Sequence, residues 1–240
     1  VAGQGTLGLE LLEQVPELET VVVPIGGGGL ISGVASVLKR RAVELGRGIR
    51  VIGVQAANAA AYPVSLAAGA VTEITISPTI ADGIAVAKPG KLNFEIVRDA
   101  VDEVVTVDDD DIARAMLVLL ERAKMVVEPA GAVGVAAILT GKIVASGPTV
   151  VILSGGNIDP LIMERVIAHG LAASERYLKL RIPLPDRPGQ LARTSEIIAD
   201  QNANVVEVLH TRHGSGLAIS QVELELHIET RGPEHADQVI

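Results

Sequence analysis

The chain has no cysteine. That excludes disulfides, thiolate metal sites and a cysteine nucleophile, and it accords with a reducing cytoplasm as the expected compartment. Aromatic side chains are nearly missing as well: Tyr62, Phe94 and Tyr177 are the only three in 240 residues. The core therefore has to be aliphatic, built from Val, Ile, Leu and Ala, which suits an α/β protein. Positive charge is in deficit, with 20 Lys and Arg against 29 Asp and Glu and a net charge of −9. That balance offers no attraction to nucleic acid or to an anionic membrane surface, so neither is expected as a partner. No apolar run approaches the roughly 18 residues that a membrane-spanning helix needs, and no signal-peptide pattern opens the chain as given. The expectation is a water-soluble chain of one large or two ordinary domains.

What the chain does have is a run of four glycines between two well-marked elements. Val21 to Ile25 is short, wholly apolar and rich in β-branched residues, which reads as a strand covered on both faces. Gly26 to Gly29 follow without Cβ atoms, so consecutive backbone N–H groups are free to face a ligand. Leu30 to Arg41 then carries Leu30, Val34, Val37 and Leu38 at helical spacing. The unpaired first-turn N–H groups and the dipole of that helix point back at the glycines. A phosphate is the expected guest; the alternative is a plain flexible turn. Neither common phosphate motif is present. A dinucleotide fingerprint needs Gly at i, i+2 and i+5, and every register breaks at Leu30, Ile31 or Ser32. A P-loop needs Lys and Ser or Thr where Gly33 is followed by Val34 and Ala35.

Elsewhere strands and helices alternate. Leu7, Leu11, Leu12 and Val15 mark a first helix from Gly5, stopped by Pro16. Strands are expected at Ile49 to Gln55, Glu103 to Val107 and Thr149 to Leu153, the last wholly buried. Helices are expected at Ala59 to Ala68, Leu92 to Ala100, after Asp111, within Val126 to Thr140 and at Pro160 to His169, with a connector at Ser77 to Ile84. This order predicts an open parallel sheet with helices on both faces over residues 1–172, with ligands beyond the carboxyl ends of the strands. Two Gly-rich turns fall there, Gly26 to Gly29 and Ser154-Gly155-Gly156-Asn157. Asp108 to Asp111 are four adjacent carboxylates, but at a positive helix end they read as a cap rather than as metal ligands.

The pattern changes for residues 173–240. Leu178, Leu180, Ile182 and Leu184 alternate with polar residues, as do Val222, Leu224, Leu226 and Ile228, so both runs read as half-buried strands. Between them come a turn at Asp186 to Gly189, a helix with Leu191, Ile197 and Ile198 on its apolar side, a strand at Asn204 to His210 and a hairpin turn at His213 to Gly216. Residues 233–240 read as a helix that stops unfinished. The order is that of a small α+β, ferredoxin-like domain lacking its last strand. His210 and His213 stand without a neighbouring carboxylate or Cys, which reads as solvated surface. Because the chain starts at Val1 rather than Met and ends within a helix, a piece of a longer protein is expected.

Five segments together resemble the threonine dehydratases (threonine ammonia-lyases), which belong to fold type II of the pyridoxal-phosphate enzymes. They are Ala2 to Thr6, Pro24 to Leu30, Thr79 to Val86, Glu128 to Gly131 and Ser154 to Asn157. The resemblance implies pyridoxal 5'-phosphate as cofactor, its phosphate held by Gly26, Gly27, Gly28, Gly29 and the Leu30 amide. It places Ser154 against the pyridine nitrogen and Gly83 and Glu128 along the pocket. It implies β-elimination and deamination of L-threonine, with L-serine as second substrate. A neutral hydroxyl at the ring nitrogen makes a weaker electron sink than a carboxylate, which suffices when the substrate carries a β-hydroxyl leaving group. The family's Schiff-base lysine in Ser-Phe-Lys-x-Arg-Gly, and its Ser-x-Gly-Asn-His substrate loop, have no counterpart here. No catalytic residue is therefore assigned, and the 240 residues alone are expected to be inactive. Serine racemase-like relatives bind a divalent cation with carboxylates after the second strand. Gln55 and Ala61 stand at those places, so no such metal site is expected.

Residues from about Glu175 on resemble an ACT domain, an amino-acid-sensing module, through Asp186-Arg187-Pro188-Gly189-Gln190-Leu191 and Asn204. The resemblance implies an amino-acid effector held by Asp186, Gly189, Leu191 and Asn204 at an interface, and hence a homo-oligomer, dimer or tetramer; assembly alone is the alternative. Two other readings of the whole remain: a serine racemase-like enzyme of the same fold, and a non-catalytic sensing or assembly fragment.

Overall fold

After a first helix, α1 (Ala2–Gln14), strand β1 (Thr20–Pro24) is buried at every position, because it runs between two neighbours in a four-stranded sheet. The computed structural model describes residues 1–212 and 217–240, and the expected hairpin turn with His213 lies outside the described residues. The described chain forms two units, Val1–Met163 and Glu164–Ile240. In the first unit the further elements are α2 (Gly29–Leu45), β2 (Arg50–Ala56), α3 (Ala61–Ala68), α4 (Lys91–Ala100), β3 (Glu103–Val107), α5 (Asp109–Val118), α6 (Pro129–Leu139) and β4 (Thr149–Val151). The sheet is parallel throughout, in the order β3-β2-β1-β4.

Helices cover both faces, and the alternation along β1 shows how. Val21 and Val23 join Ile31, Val34 and Leu38 of α2 and Leu11 of α1 in one aliphatic cluster. Val22 points the other way, to Gly134 of α6, where an added Cβ would come within 3.2 Å of Val22 and 2.7 Å of Val151. The Ala/Gly-rich sequence of α6 is thus what lets it lie close on the sheet. Each fully buried Val, Leu or Ile of these layers contributes about 1.5–3 kcal/mol.

Around the glycine turn two bounds need correction. Strand β4 is shorter than 149–153 and only half-buried, because it is the outermost strand and pairs with β1 alone among the described residues. Helix α2 starts one residue earlier than expected, so Gly29 is its first residue and Gly28 its N-cap. The acidic run is consumed by structure. Asp108 caps α5 by accepting from Asp111 N–H at 2.8 Å, and Asp109 accepts from Thr79 Oγ1 at 2.6 Å and Ile80 N–H at 3.1 Å. Buried Asp111 pairs with Arg114 at 3.0 Å and Lys142 at 3.2 Å.

The second unit begins within α7 (Pro160–Ala173) and continues with β5 (Tyr177–Pro185), α8 (Gln190–Asp200), β6 (Asn204–Thr211), β7 (Gln221–Glu229) and α9 (Pro233–Val239). Its sheet has the order β5-β7-β6, with β7 antiparallel to both neighbours. Leu224, Leu226 and Ile228 form its core with Ile198 and Val239. The apolar side expected for α8 is narrower than Leu191, Ile197 and Ile198: Ile198 is buried, whereas Ile197 is 55% and Leu191 39% exposed. Neighbours one residue apart on a helix face different directions, so only one of the Ile197-Ile198 pair can reach the sheet. His235 fastens α9, accepting from Arg231 N–H at 3.0 Å through Nδ1 and meeting Gln201 O at 2.7 Å through Nε2. Among the described residues no helix is long and apolar enough to cross a membrane.

On the polar face of this sheet Glu225 accepts from Lys179 and, at 2.7 Å, from Arg181. These two bonds hold its carboxyl down at about 2. A carboxyl depressed in the folded state adds stability that is complete above its ordinary value near 4.5 and is lost as pH falls toward 2. Acid titration followed by circular dichroism is expected to show this loss, and Glu225→Gln to flatten it over that window. An unchanged acid limb in the variant would remove Glu225 from the account.

Candidate functional site

Pairing of β1 with β2 ends where Ile25 N–H donates to Val54 O at 2.8 Å, and the chain then enters the four glycines. Gly28 has to be glycine. Its φ is +88°, and a Cβ there would lie 1.8 Å from Tyr62 Oη. Gly27 and Gly29 are different: nothing lies within 4 Å of where their Cβ atoms would be, so bare backbone meets open space. Among the described residues the N–H groups of Gly26 to Leu30 donate to no protein acceptor. They gather at the positive end of a 17-residue helix that has no side-chain cap. Such a turn attracts an anion and leaves room for it.

Because β4 lies beside β1, its continuation passes the same turn, and Ile152 N–H still donates to Val22 O at 2.9 Å. Gly29, Leu30 and Ser154 line one cleft of about 760 Å³, together with Gln4 and Leu7 of α1. That volume is in the range of small-molecule sites. Gly83 and Glu128 line a neighbouring cleft of about 300 Å³ with Asp82, Asn157 and Asp159. The expected single pocket is therefore divided in this structure. Glu128, in the second cleft, contacts the residue after Ser154: its N–H donates to Gly155 O at 3.3 Å. Gly155 has φ +93°, and a Cβ on it would meet the Glu128 carboxylate at 2.3 Å. Gly83 still touches the glycine turn: a Cβ on Gly26 would lie 3.6 Å from Gly83 O and 3.2 Å from Ile84 Cα.

Three residues that organise the turn were not legible as site residues. Gly27 O accepts from Asn93 Nδ2 at 2.7 Å and from Tyr62 Oη at 3.2 Å. Gln55, fully buried, accepts from Tyr62 N–H at 2.9 Å and donates to Ile25 O at 3.3 Å. Burial pushes the Tyr62 hydroxyl up to about 12, so it stays a donor at any working pH. A tyrosine among only three aromatics, set in an aliphatic core, was the available signal.

In the second unit Asp186, Gly189 and Leu191 share the turn between β5 and α8, where Asp186 meets Arg212 at 3.4 Å and Gly189 has φ +90°. Asn204 is elsewhere. It pairs with Glu229, which pairs with Tyr177, so it sits at the opposite end of β5, roughly 26 Å away along a nine-residue strand. The four expected effector residues do not form one site within a single copy.

Residues 1–155 match the family of pyridoxal-phosphate dependent enzymes. The chain belongs to that family. The L-threonine ammonia-lyase of Geobacter sulfurreducens is 46% identical over 241 positions, covering 100% of this chain and 59% of the relative. The L-threonine ammonia-lyase of Thermotoga maritima is 45% identical over 239 positions, with the same coverage. This pyridoxal-phosphate dependent chain thus spans about three fifths of the length of these relatives. Among solved structures, the processed form of threonine deaminase isoform 2 from Solanum lycopersicum superposes with a TM-score of 0.64 at 33% identity, over 70% of this chain and 48% of that one. Maize serine racemase gives 0.62 at 41% identity, over 71% and 52%. The residues present fit the cofactor: a phosphate ester needs amide donors without side-chain bulk, as at Gly27 and Gly29, and Ser154 brings a neutral hydroxyl residue to the cleft that Gly29 and Leu30 line.

Proposed function

We propose that the protein deaminates L-threonine by β-elimination, giving 2-oxobutyrate and ammonia, and acts on L-serine in the same way to give pyruvate. The observation that carries this reading is the amide-lined turn at Gly26 to Leu30, open at Gly27 and Gly29, whose last two residues share a cleft with Ser154. The 46% identity to an L-threonine ammonia-lyase, running through all of this chain, supports the substrate. When bound, the cofactor withdraws electrons from the bonds around the substrate Cα. The turn amides and the dipole of α2 anchor its phosphate. Ser154 offers its ring a neutral hydroxyl, which leaves the sink weak and favours prompt loss of a β-hydroxyl over longer-lived side reactions. Glu128, held beside Gly155, would supply a carboxylate to the neighbouring cleft that it lines with Gly83.

For residues 173–240 the reading is an ACT-type regulatory unit. An amino acid would sit against Asp186, Gly189 and Leu191 of one copy, with Asn204 supplied by another, which makes a homo-oligomer part of the proposal. The protein as encoded, given pyridoxal 5'-phosphate and L-threonine, is expected to release 2-oxobutyrate and ammonia in equal amounts. Interconversion of L- and D-serine without keto acid would favour the racemase reading, to which the maize enzyme's 41% identity points. Neither product from a cofactor-loaded protein would sink both.

A further inference from the structure

We infer that Tyr62 and Asn93 are positioning residues of the phosphate turn: by holding the Gly27 carbonyl inward they turn the Gly28 N–H outward as a donor. The inference rests on the cofactor reading above and goes beyond it, to what aims the donors. A tetraglycine segment has no side chains to choose its peptide orientations, and each of its planes can present either a carbonyl oxygen or an N–H to the cleft. Carbonyl oxygens carry the wrong sign for a phosphate. In a trans peptide the C=O of one residue and the N–H of the next point in opposite directions, and both are fixed by one plane. Gly27 O accepts from Asn93 Nδ2 at 2.7 Å and Tyr62 Oη at 3.2 Å, so that plane is set, with the Gly28 N–H on the far side from both.

The two donors are themselves held. Tyr62 is fully buried, its N–H taken by Gln55 Oε1 at 2.9 Å, and the Gln55 amide is anchored on Ile25 O, the residue that leads into the turn. Asn93 O accepts from Ser32 Oγ at 3.4 Å, which ties the first turn of α2 to α4. Gly28 completes the arrangement, since its missing Cβ is the space that the Tyr62 hydroxyl occupies. A buried phenol and the buried polar side chains of Gln55 and Ser32 are costly in an aliphatic core unless they find partners. Here the two donors converge on one carbonyl of the ligand turn.

The test compares 4-deoxypyridoxine 5'-phosphate with 4-deoxypyridoxine, neither of which can form a bond to lysine, by calorimetry on the chain and on Tyr62→Phe, Asn93→Leu and the double variant. In the wild type the phosphate is expected to tighten binding. Each single variant is expected to lose roughly tenfold of that phosphate-dependent increment, with affinity for the unphosphorylated form unchanged. Tyr62→Phe removes one oxygen, so it keeps the test alive should Asn93→Leu fail to fold. A wild-type increment kept in full by Tyr62→Phe overturns the inference, as does equal weakening of both ligands, the mark of a merely structural role. A wild type that does not distinguish the two ligands overturns the cofactor reading beneath it.

Discussion

Gly28→Ala is expected to be the most damaging single substitution in the glycine turn, lowering stability by about 3–5 kcal/mol and the melting temperature by about 10 °C. Two effects add. The backbone there sits at φ +88°, which costs an L-residue about 1–2 kcal/mol. The new methyl would also lie 1.8 Å from Tyr62 Oη, 2.8 Å from Tyr62 Cζ and 3.0 Å from Asn93 Cβ. Tyr62 is fully buried and has nowhere to retreat, so the clash opens the Gly27 carbonyl contacts and the core around them. Gly27→Ala and Gly29→Ala form the contrast: nothing lies within 4 Å of either Cβ, and a melting temperature close to wild type is expected for both. Thermal unfolding of the three variants decides it. Equal melting temperatures across the series would show that the turn is not braced by Tyr62.

Gly131→Ala comes next, and it runs against intrinsic helix preference. Gly131 lies in the first turn of α6, where Ala is favoured by about 1 kcal/mol on propensity alone. In place, the methyl would meet Ser154 O at 2.4 Å, Ser154 C at 3.0 Å and Val127 Cγ1 at 2.9 Å. Two of those atoms are backbone, which cannot rotate aside. The expected result is a net loss of about 2–4 kcal/mol and a displaced Ser154. The displacement should be read as weaker binding of 4-deoxypyridoxine, whose ring meets Ser154 in the proposed site, by about tenfold. A variant more stable than wild type, with unchanged binding, would falsify the close packing of α6 beneath that segment.

Much of the fold was legible because its signals are local. Strand β3 was expected at Glu103 to Val107 and lies there, since five residues with β-branched neighbours between turn signals leave little choice. The alternation of Val222, Leu224, Leu226 and Ile228 identified β7 in the same way, and all four are buried. The acidic run read as a cap because charge and helix dipole act within one turn. Where legibility failed, the deciding contact was distant. Nothing in the neighbourhood of Leu191 and Ile197 says that α8 meets the sheet mainly through Ile198. Nothing near Asn204 says that the strand it opens pairs so as to put it at the far end from Asp186.

The sequence by itself determined the kind of turn: four residues without Cβ atoms between a buried strand and a helix leave bare peptide groups whatever surrounds them, and Ser154 follows another apolar run. Only the tertiary structure decided how the turn is aimed. The two donors on Gly27 O come from 35 and 66 positions away, brought there by burial of a tyrosine and the packing of α4. Backbone freedom is a property of the residue, but its removal depends on contacts that exist only once the core has closed.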